Sequence, residues 1–314
     1  YKLICMPNTR EIKRRIKSVG NIRQITRAMQ LVAASKMRRA QRRAADSDAY
    51  AYGALDILEN LTRKAYGVKE HHFWKGNGKG SGKQAIILVA ANRGFCGGLN
   101  ITLFSKVMAF VKKIKKAGDE AEIITVGSKG RILARKTGLK IAADFSDFGD
   151  KIGIKDIMPL VRVAVGDYRA GDYKKIHIAF TRYVNALVQK PEIRQILPIE
   201  IESFKEIAEI DEKMKKQILG NGNGGTGNGA RYIFEPNPEA TFERLVPHLL
   251  EIEIYKAILE HQASEHSARM VAMKNATDKA GELIDDLRLA YNQARQAGIT
   301  REIAEVSAGA ADVV

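Results

Sequence analysis

Met273–Ala297 reads MKNATDKAGELIDDLRLAYNQARQA. Met273, Ala276, Ala280, Leu283, Leu287, Ala290, Ala294 and Ala297 recur at alternating steps of three and four. That spacing predicts a heptad seam, and its many alanines let a partner helix approach closely. The helix that carries it begins at Glu235-Pro236-Asn237-Pro238 (EPNP) and runs nearly to the last residue. A helix of about 70 residues is about 100 Å long at 1.5 Å per residue. A compact domain built from this chain has no room for it, so the helix has to project and needs a companion.

The companion is predicted at the other end of the chain. From Thr9 to about Lys64 the sequence is rich in Ala, Arg, Gln and Lys, with no proline after Pro7. Ile12, Ile16, Val19, Ile22, Ile25, Met29 and Val32 form one apolar stripe, continued by Ala33, Met37, Ala40 and Ala44. Met6-Pro7-Asn8-Thr9 reads as a natural start, with Asn8 or Thr9 as the helix cap and the first five residues as an upstream extension.

Between the two helices the texture changes. Strand-like runs are read at Ala85–Val89, Ala121–Val126, Leu139–Ala143, Lys175–Thr181 and Ile193–Ile199, with helices at Leu99–Lys116, Ser128–Lys136 and Ile154–Ala170. Such alternation predicts a mostly parallel sheet covered on both faces. After the first strand comes Asn92-Arg93-Gly94-Phe95-Cys96-Gly97-Gly98-Leu99-Asn100 (NRGFCGGLN). A glycine-rich turn between a strand and a helix start is a phosphate-binding arrangement in many enzymes. The spacing here is neither GxGxxG nor GxxxxGK[ST], and no acidic residue occupies an obvious ribose position. The glycines equally serve close strand–helix packing, so the loop reads as architecture. Gly76–Lys83 (GNGKGSGK) reads as a linker and the Gly/Asn tract 220–229 as a disordered loop.

Composition narrows the partners. The 314 residues carry 52 Lys+Arg against 36 Asp+Glu, a formal charge of +16. Twelve basic residues lie between Arg10 and Arg43 against Glu11 alone. A surplus so concentrated calls for an acidic partner. Nucleic acid is one candidate, but no aromatics interleave with these basic residues. Cys5 and Cys96 are two widely separated cysteines, which reads as a reducing compartment and not as a disulfide framework or zinc site. The longest apolar run is far below the roughly 18 residues that span a bilayer. His71-His72 lacks a third ligand, His261 and His266 read as exposed, and Glu282 with Asp285-Asp286 reads as a solvated acidic face. No catalytic, cofactor-binding or metal-binding residue set stands out.

Three stretches carry a family resemblance: Ile22–Arg39 (IRQITRAMQLVAASKMRR), the loop NRGFCGGLN, and Ala263–Ala310 (ASEHSARMVAMKNATDKAGELIDDLRLAYNQARQAGITREIAEVSAGA). They resemble the gamma subunit of F-type ATP synthases, the central rotor stalk. The resemblance extends to Val184-Asn185, Pro191, Gln195, Leu197 and Pro198, and to Phe234-Glu235-Pro236. Family members often have Ser-Asp-Arg-Gly-Leu where this chain has Ala91-Asn92-Arg93-Gly94-Phe95, and the 220–229 tract looks like a lineage-specific insertion. The paired-cysteine segment of plant plastid members is absent, so thiol control of that kind is not implied.

The resemblance implies an α/β protein with a long antiparallel coiled coil, a Rossmann-like domain being inserted between paired terminal helices. The parts are residues 6–66 for the first helix, 84–203 for the α/β foot, 204–235 for a flexible connection and 236–314 for the last helix. It implies a rotor that does no bond chemistry, with no cofactor and no metal. The implied partners are the alpha and beta subunits of the catalytic hexamer, the epsilon subunit and the membrane c-ring. The implied place is the cytoplasmic face of the bacterial plasma membrane, without membrane insertion. By position, Met29, Arg269, Arg295, Gln296, Thr300 and Glu302 match family contacts with the catalytic subunits. The Ile303–Val314 tip, with Glu305 and Asp312 its only charged side chains, suits an apolar collar. The rival readings are a basic coiled-coil nucleic-acid-binding protein and a nucleotide-dependent enzyme built on the α/β domain.

Overall fold

The computed structural model describes residues 9–64, 71–76, 82–146, 148–149, 152–199 and 234–311. The expected start at Met6, the 77–81 part of the linker and the Gly/Asn tract lie outside them, as do most of the 204–235 connection and residues 312–314. In chain order the elements are α1 (Thr9–Lys64), α2 (His72–Lys75), β1 (Lys83–Val89), α3 (Leu99–Lys116), β2 (Glu120–Val126), α4 (Ser128–Lys136), β3 (Lys140–Phe145), α5 (Ile154–Ala170), β4 (Lys175–Tyr183), β5 (Gln189–Leu197) and α6 (Pro238–Ala311). The described residues up to Ala34 join those from Arg269 onward in one compact unit, and the described residues between Ser35 and Ala268 form a second.

The first unit is the helix pair. Thr26 and Thr277 place their hydroxyl oxygens 2.8 Å apart, and Arg23 packs over Gly281, where a Cβ would meet its guanidinium at 3.5 Å. As the α1 number falls the α6 number rises, so the helices are antiparallel. From Met273 to Ala297 the buried or half-buried positions on α6 are Met273, Ala276, Thr277, Ala280, Gly281, Ile284, Leu287, Tyr291, Ala294 and Ala297. The seam read from sequence shares Met273, Ala276, Ala280, Leu287, Ala294 and Ala297 but took Leu283 and Ala290, which are exposed, in place of Ile284 and Tyr291. Either choice between Ala280 and Ala294 keeps three-four spacing, so the shape of the partner decides between them. On α1, Ile12, Ile16, Val19, Thr26 and Ala33 face inward, whereas Ile22, Ile25 and Val32 are 50%, 59% and 54% exposed. Thr26 holds a seam place because Thr277 supplies its hydroxyl with a partner.

The second unit is a five-stranded sheet in the order β3-β2-β1-β4-β5, with β1 to β4 parallel and β5 antiparallel to β4. Side chains alternate across a strand. Ala85, Ile87 and Val89 of β1 therefore enter one core with α5 and with residues Phe242 to Ile258 of α6. Ile86 and Leu88 enter the other core, built with Leu103, Val107, Val111 and Ile114 of α3. Phe73 of α2 is fully buried in the first core. Asn237, in the EPNP stretch, caps α6 by accepting from the Ala240 N–H at 2.8 Å.

Candidate functional site

The glycine loop sits at the end of β1, where the sheet order reverses and doubly wound folds take ligands. Here the loop's polar groups are engaged by the chain itself. Asn100 accepts from the Ala91 N–H at 3.2 Å and donates to Cys96 Sγ at 3.3 Å. Asn92 accepts from the Ser128 N–H at 2.9 Å, and the Ser128 hydroxyl donates back to the Asn92 carbonyl at 2.7 Å. Ala91, Cys96 and Leu99 bury their side chains with Ala268 of α6 packed against them. Gly127, at φ 96°, lets the α4 start lie against the Ala90 carbonyl. The arrangement ties β1, β2, α4 and α6 together. Phe95 turns outward, 70% exposed in a left-handed backbone at φ 62°, a conformation uncommon for a bulky residue.

His71 and His72 serve packing. The His71 ring caps α2 by accepting from the Phe73 N–H and lies 5.1 Å from the Phe242 ring. Burial lowers the pKa of both imidazoles, and for His71 the neighbouring His72 adds to the effect. Among the described residues no group of three His, Cys, Asp or Glu is placed to hold a metal ion. His261 and His266, read as exposed, are buried. The reason is that α6 is packed on nearly all sides between Ile252 and Arg269, so helix-face reasoning finds no solvent side there.

The helix pair offers the other functional surface. Arg10, Lys13, Arg14, Arg15, Lys17, Arg23 and Arg27 project from α1, and among their side chains Arg15 pairs with Glu11 at 2.7 Å. Among them Ile22, Ile25, Leu31 and Val32 lie exposed, and Leu289, Ile299, Ile303 and Val306 do so on α6. A surface that mixes apolar side chains with a surplus of basic charge suits contact with protein. The outward isoleucines were hidden from sequence reading because their spacing fits the seam equally well.

The six expected contact residues fall into two groups. Met29 is half-buried on α1, and Arg269 begins the α6 segment of the same unit with 9% of its surface exposed. Arg295, Gln296, Thr300 and Glu302 are exposed on α6, roughly 40–50 Å of helix beyond Arg269. Thr300 turns its hydroxyl to the Gln296 carbonyl at 3.0 Å.

Fold and surface together define a helical-stalk subunit: two long antiparallel helices with an α/β sheet inserted between them in sequence and an outward contact face. Comparison with known proteins gives the family. A family model described as ATP synthase matches residues 8–313. The ATP synthase gamma chain of Chloroflexus aurantiacus is 36% identical over 306 residues, covering 98% of this chain and 99% of the relative. That of Herpetosiphon aurantiacus is 38% identical over 310 residues, covering 97% and 98%. The chain belongs to the ATP synthase gamma chain family. Its fold is similar to a chain in the rotor of the Euglena gracilis mitochondrial ATP synthase, with TM-score 0.60, 18% identity and coverage of 93% and 98%. A chain in the Tetrahymena thermophila mitochondrial central stalk and c-ring gives TM-score 0.57 and 20% identity, covering 80% and 99%.

Proposed function

We propose that this chain is the turning central stalk of an F-type ATP synthase, coupling ion flow through a membrane c-ring to ATP synthesis or hydrolysis in a hexamer of alpha and beta subunits. It does no bond chemistry itself. Epsilon is the further partner, and the complex lies on the cytoplasmic face of a bacterial plasma membrane. The observation that carries this reading is the outer face of the helix pair, where exposed isoleucines alternate with arginine and lysine. The family resemblance implies acidic lever segments on the catalytic subunits, and long-range attraction between these and a basic stalk gives association with little geometric locking, as a sliding part requires. Met29, Arg269, Arg295, Gln296, Thr300 and Glu302 are the assigned contacts. Purification of the intact chain from its host with identification of what comes with it tests the reading. Recovery with alpha, beta and c-ring subunits is expected, and recovery with duplex DNA instead would favour the nucleic-acid alternative.

Met29→Lys places an ammonium at the sliding face, and a charge-assisted hydrogen bond there adds about 1.5–3 kcal/mol of holding. ATP-driven ion pumping is expected to fall several-fold more than hydrolysis, measured side by side in vesicles. Equal losses would count against Met29 as a contact. Separately, deletion of the last ten residues should leave assembly at about half or more of the intact level by gel filtration, because the tip carries few polar groups to bond. Complete loss of assembly would refute this.

A further inference from the structure

β1 and β4 pair in parallel only as far as Leu88 and Ala179, while β4 continues to Tyr183. The next residue of β4 facing that side, Thr181, therefore has no β1 residue paired with it. Its backbone groups are taken by side chains of α6. The Thr181 N–H donates to His261 Nδ1 at 3.3 Å, and Ser264 Oγ donates to the Thr181 carbonyl at 2.9 Å. One turn further, Ser267 Oγ donates to the Ala186 carbonyl at 2.8 Å. His261, Ser264 and Ser267 recur every three residues, on one helix face, and are 1% exposed or less. The far side of β4 agrees with this division. Pro191 stands opposite Thr181 in β5, lacks an N–H, and turns its carbonyl outward to Lys106 Nζ at 2.7 Å. No ladder bond is lost at that pair.

We infer that His261, Ser264 and Ser267 form a clasp, the first two in the place of a strand on the freed edge of β4 and the third on the connection that follows it, which positions α6 against sliding along the sheet under torque. This rests on reading the chain as a rotor. Apolar packing between α6 and the sheet resists separation but is non-directional, whereas hydrogen bonds weaken steeply with misalignment. The same helix runs without a break to Ala311, so load borne by its far part is delivered to these three side chains. With Nδ1 accepting, the His261 proton sits on Nε2, which finds no partner among the described residues. The imidazole is kept neutral by burial, helped by His266, with its pKa lowered to about 3.

The test uses the reconstituted synthase in vesicles with His261→Leu, Ser264→Ala and His261→Asn. Asparagine retains an acceptor for the Thr181 N–H; leucine does not. In His261→Leu, hydrogen exchange of the Thr181 amide should quicken about tenfold or more, with Ile86 and Ile87 unchanged. Ions pumped per ATP against an opposing gradient should fall by about half or more at an unchanged hydrolysis rate. His261→Asn should restore both. If His261→Leu does not assemble, Ser264→Ala, which removes one bond from a smaller side chain, should show the same loss of pumping. Unchanged exchange at Thr181 would overturn the clasp, and quickened exchange with undiminished pumping would overturn its mechanical role. Failure of the unaltered chain to assemble with catalytic and ring subunits would instead sink the rotor reading, while the exchange result still reports on the clasp.

Discussion

Gly127→Ala is expected to destabilise the chain by about 4 kcal/mol, close to the top of the range for single substitutions. The residue stands between β2 and α4 at φ 96° and ψ 140°. That backbone region is essentially closed to residues with a Cβ, and occupying it costs about 1–3 kcal/mol. The new methyl group would also lie 2.0 Å from the Ala90 carbonyl oxygen and 2.9 Å from its carbon. These are backbone atoms of the segment leaving β1, and Ala90 is itself held by its N–H to the Val126 carbonyl at 2.8 Å. Relief therefore requires parting β1 from the start of α4, which also disturbs the Asn92–Ser128 exchange. Gly94→Ala is the matched control, since a Cβ there meets nothing within 4 Å. It should cost about 0.5 kcal/mol or less. Denaturant midpoints of the two variants and the parent, at equal slope, decide the matter. Equal midpoints for both variants would contradict the close approach at Ala90.

Glu253→Gln should stabilise the chain at neutral pH by about 3 kcal/mol. Glu253 is buried on α6 within the apolar core, and neither carboxylate oxygen has a hydrogen-bond partner among the described residues. Burial raises its pKa from 4.5 to about 8, against the opposing pull of Arg194 and Lys256. Below pH 4.5 the carboxyl is protonated in both folded and unfolded chains and contributes no pH dependence. Between 4.5 and 8 the folded chain keeps a proton that the unfolded chain gives up, so each pH unit costs about 1.4 kcal/mol of stability. Above 8 the loss is complete. Glutamine has the size of the neutral acid and no such dependence. The two proteins should therefore be nearly equal at pH 4 and separate progressively to pH 8, read from urea midpoints across that range. A constant offset would mean that Glu253 does not change its charge in the window.

Several features of this molecule are written plainly in the sequence. The alternating strands and helices between Ala85 and Ile199 specify the sheet because fully buried parallel strands need unbroken apolar runs such as AIILV. The paired terminal helices follow from length, since a seam over more than three heptads has to be covered. Which frame of the seam is used was not legible. Leu283 and Ile284 are equally apolar and adjacent, and the choice depends on Gly281 admitting Arg23 and on Thr277 meeting Thr26 across 251 residues of sequence. The same ambiguity concealed the contact face, because Ile22, Ile25 and Val32 carry seam spacing and yet point outward. His261 and His266 were misplaced for another reason. Polar residues on a helix signal solvent only where the helix has a solvent side, and between Ile252 and Arg269 it has almost none. The clasp on β4 was invisible because it answers a shortfall in strand length, Leu88 against Tyr183, that only the register reveals.

Rotation itself is the decisive observation. With Lys112, exposed on α3, changed to cysteine and Cys5 to serine, a bead can be fixed to the α/β body of the chain while its hexamer of catalytic subunits is held on a surface. Addition of ATP should turn the bead stepwise in one direction, at a rate set by hydrolysis. Steady hydrolysis by the same surface-held complexes with every bead stationary would contradict the rotor reading outright.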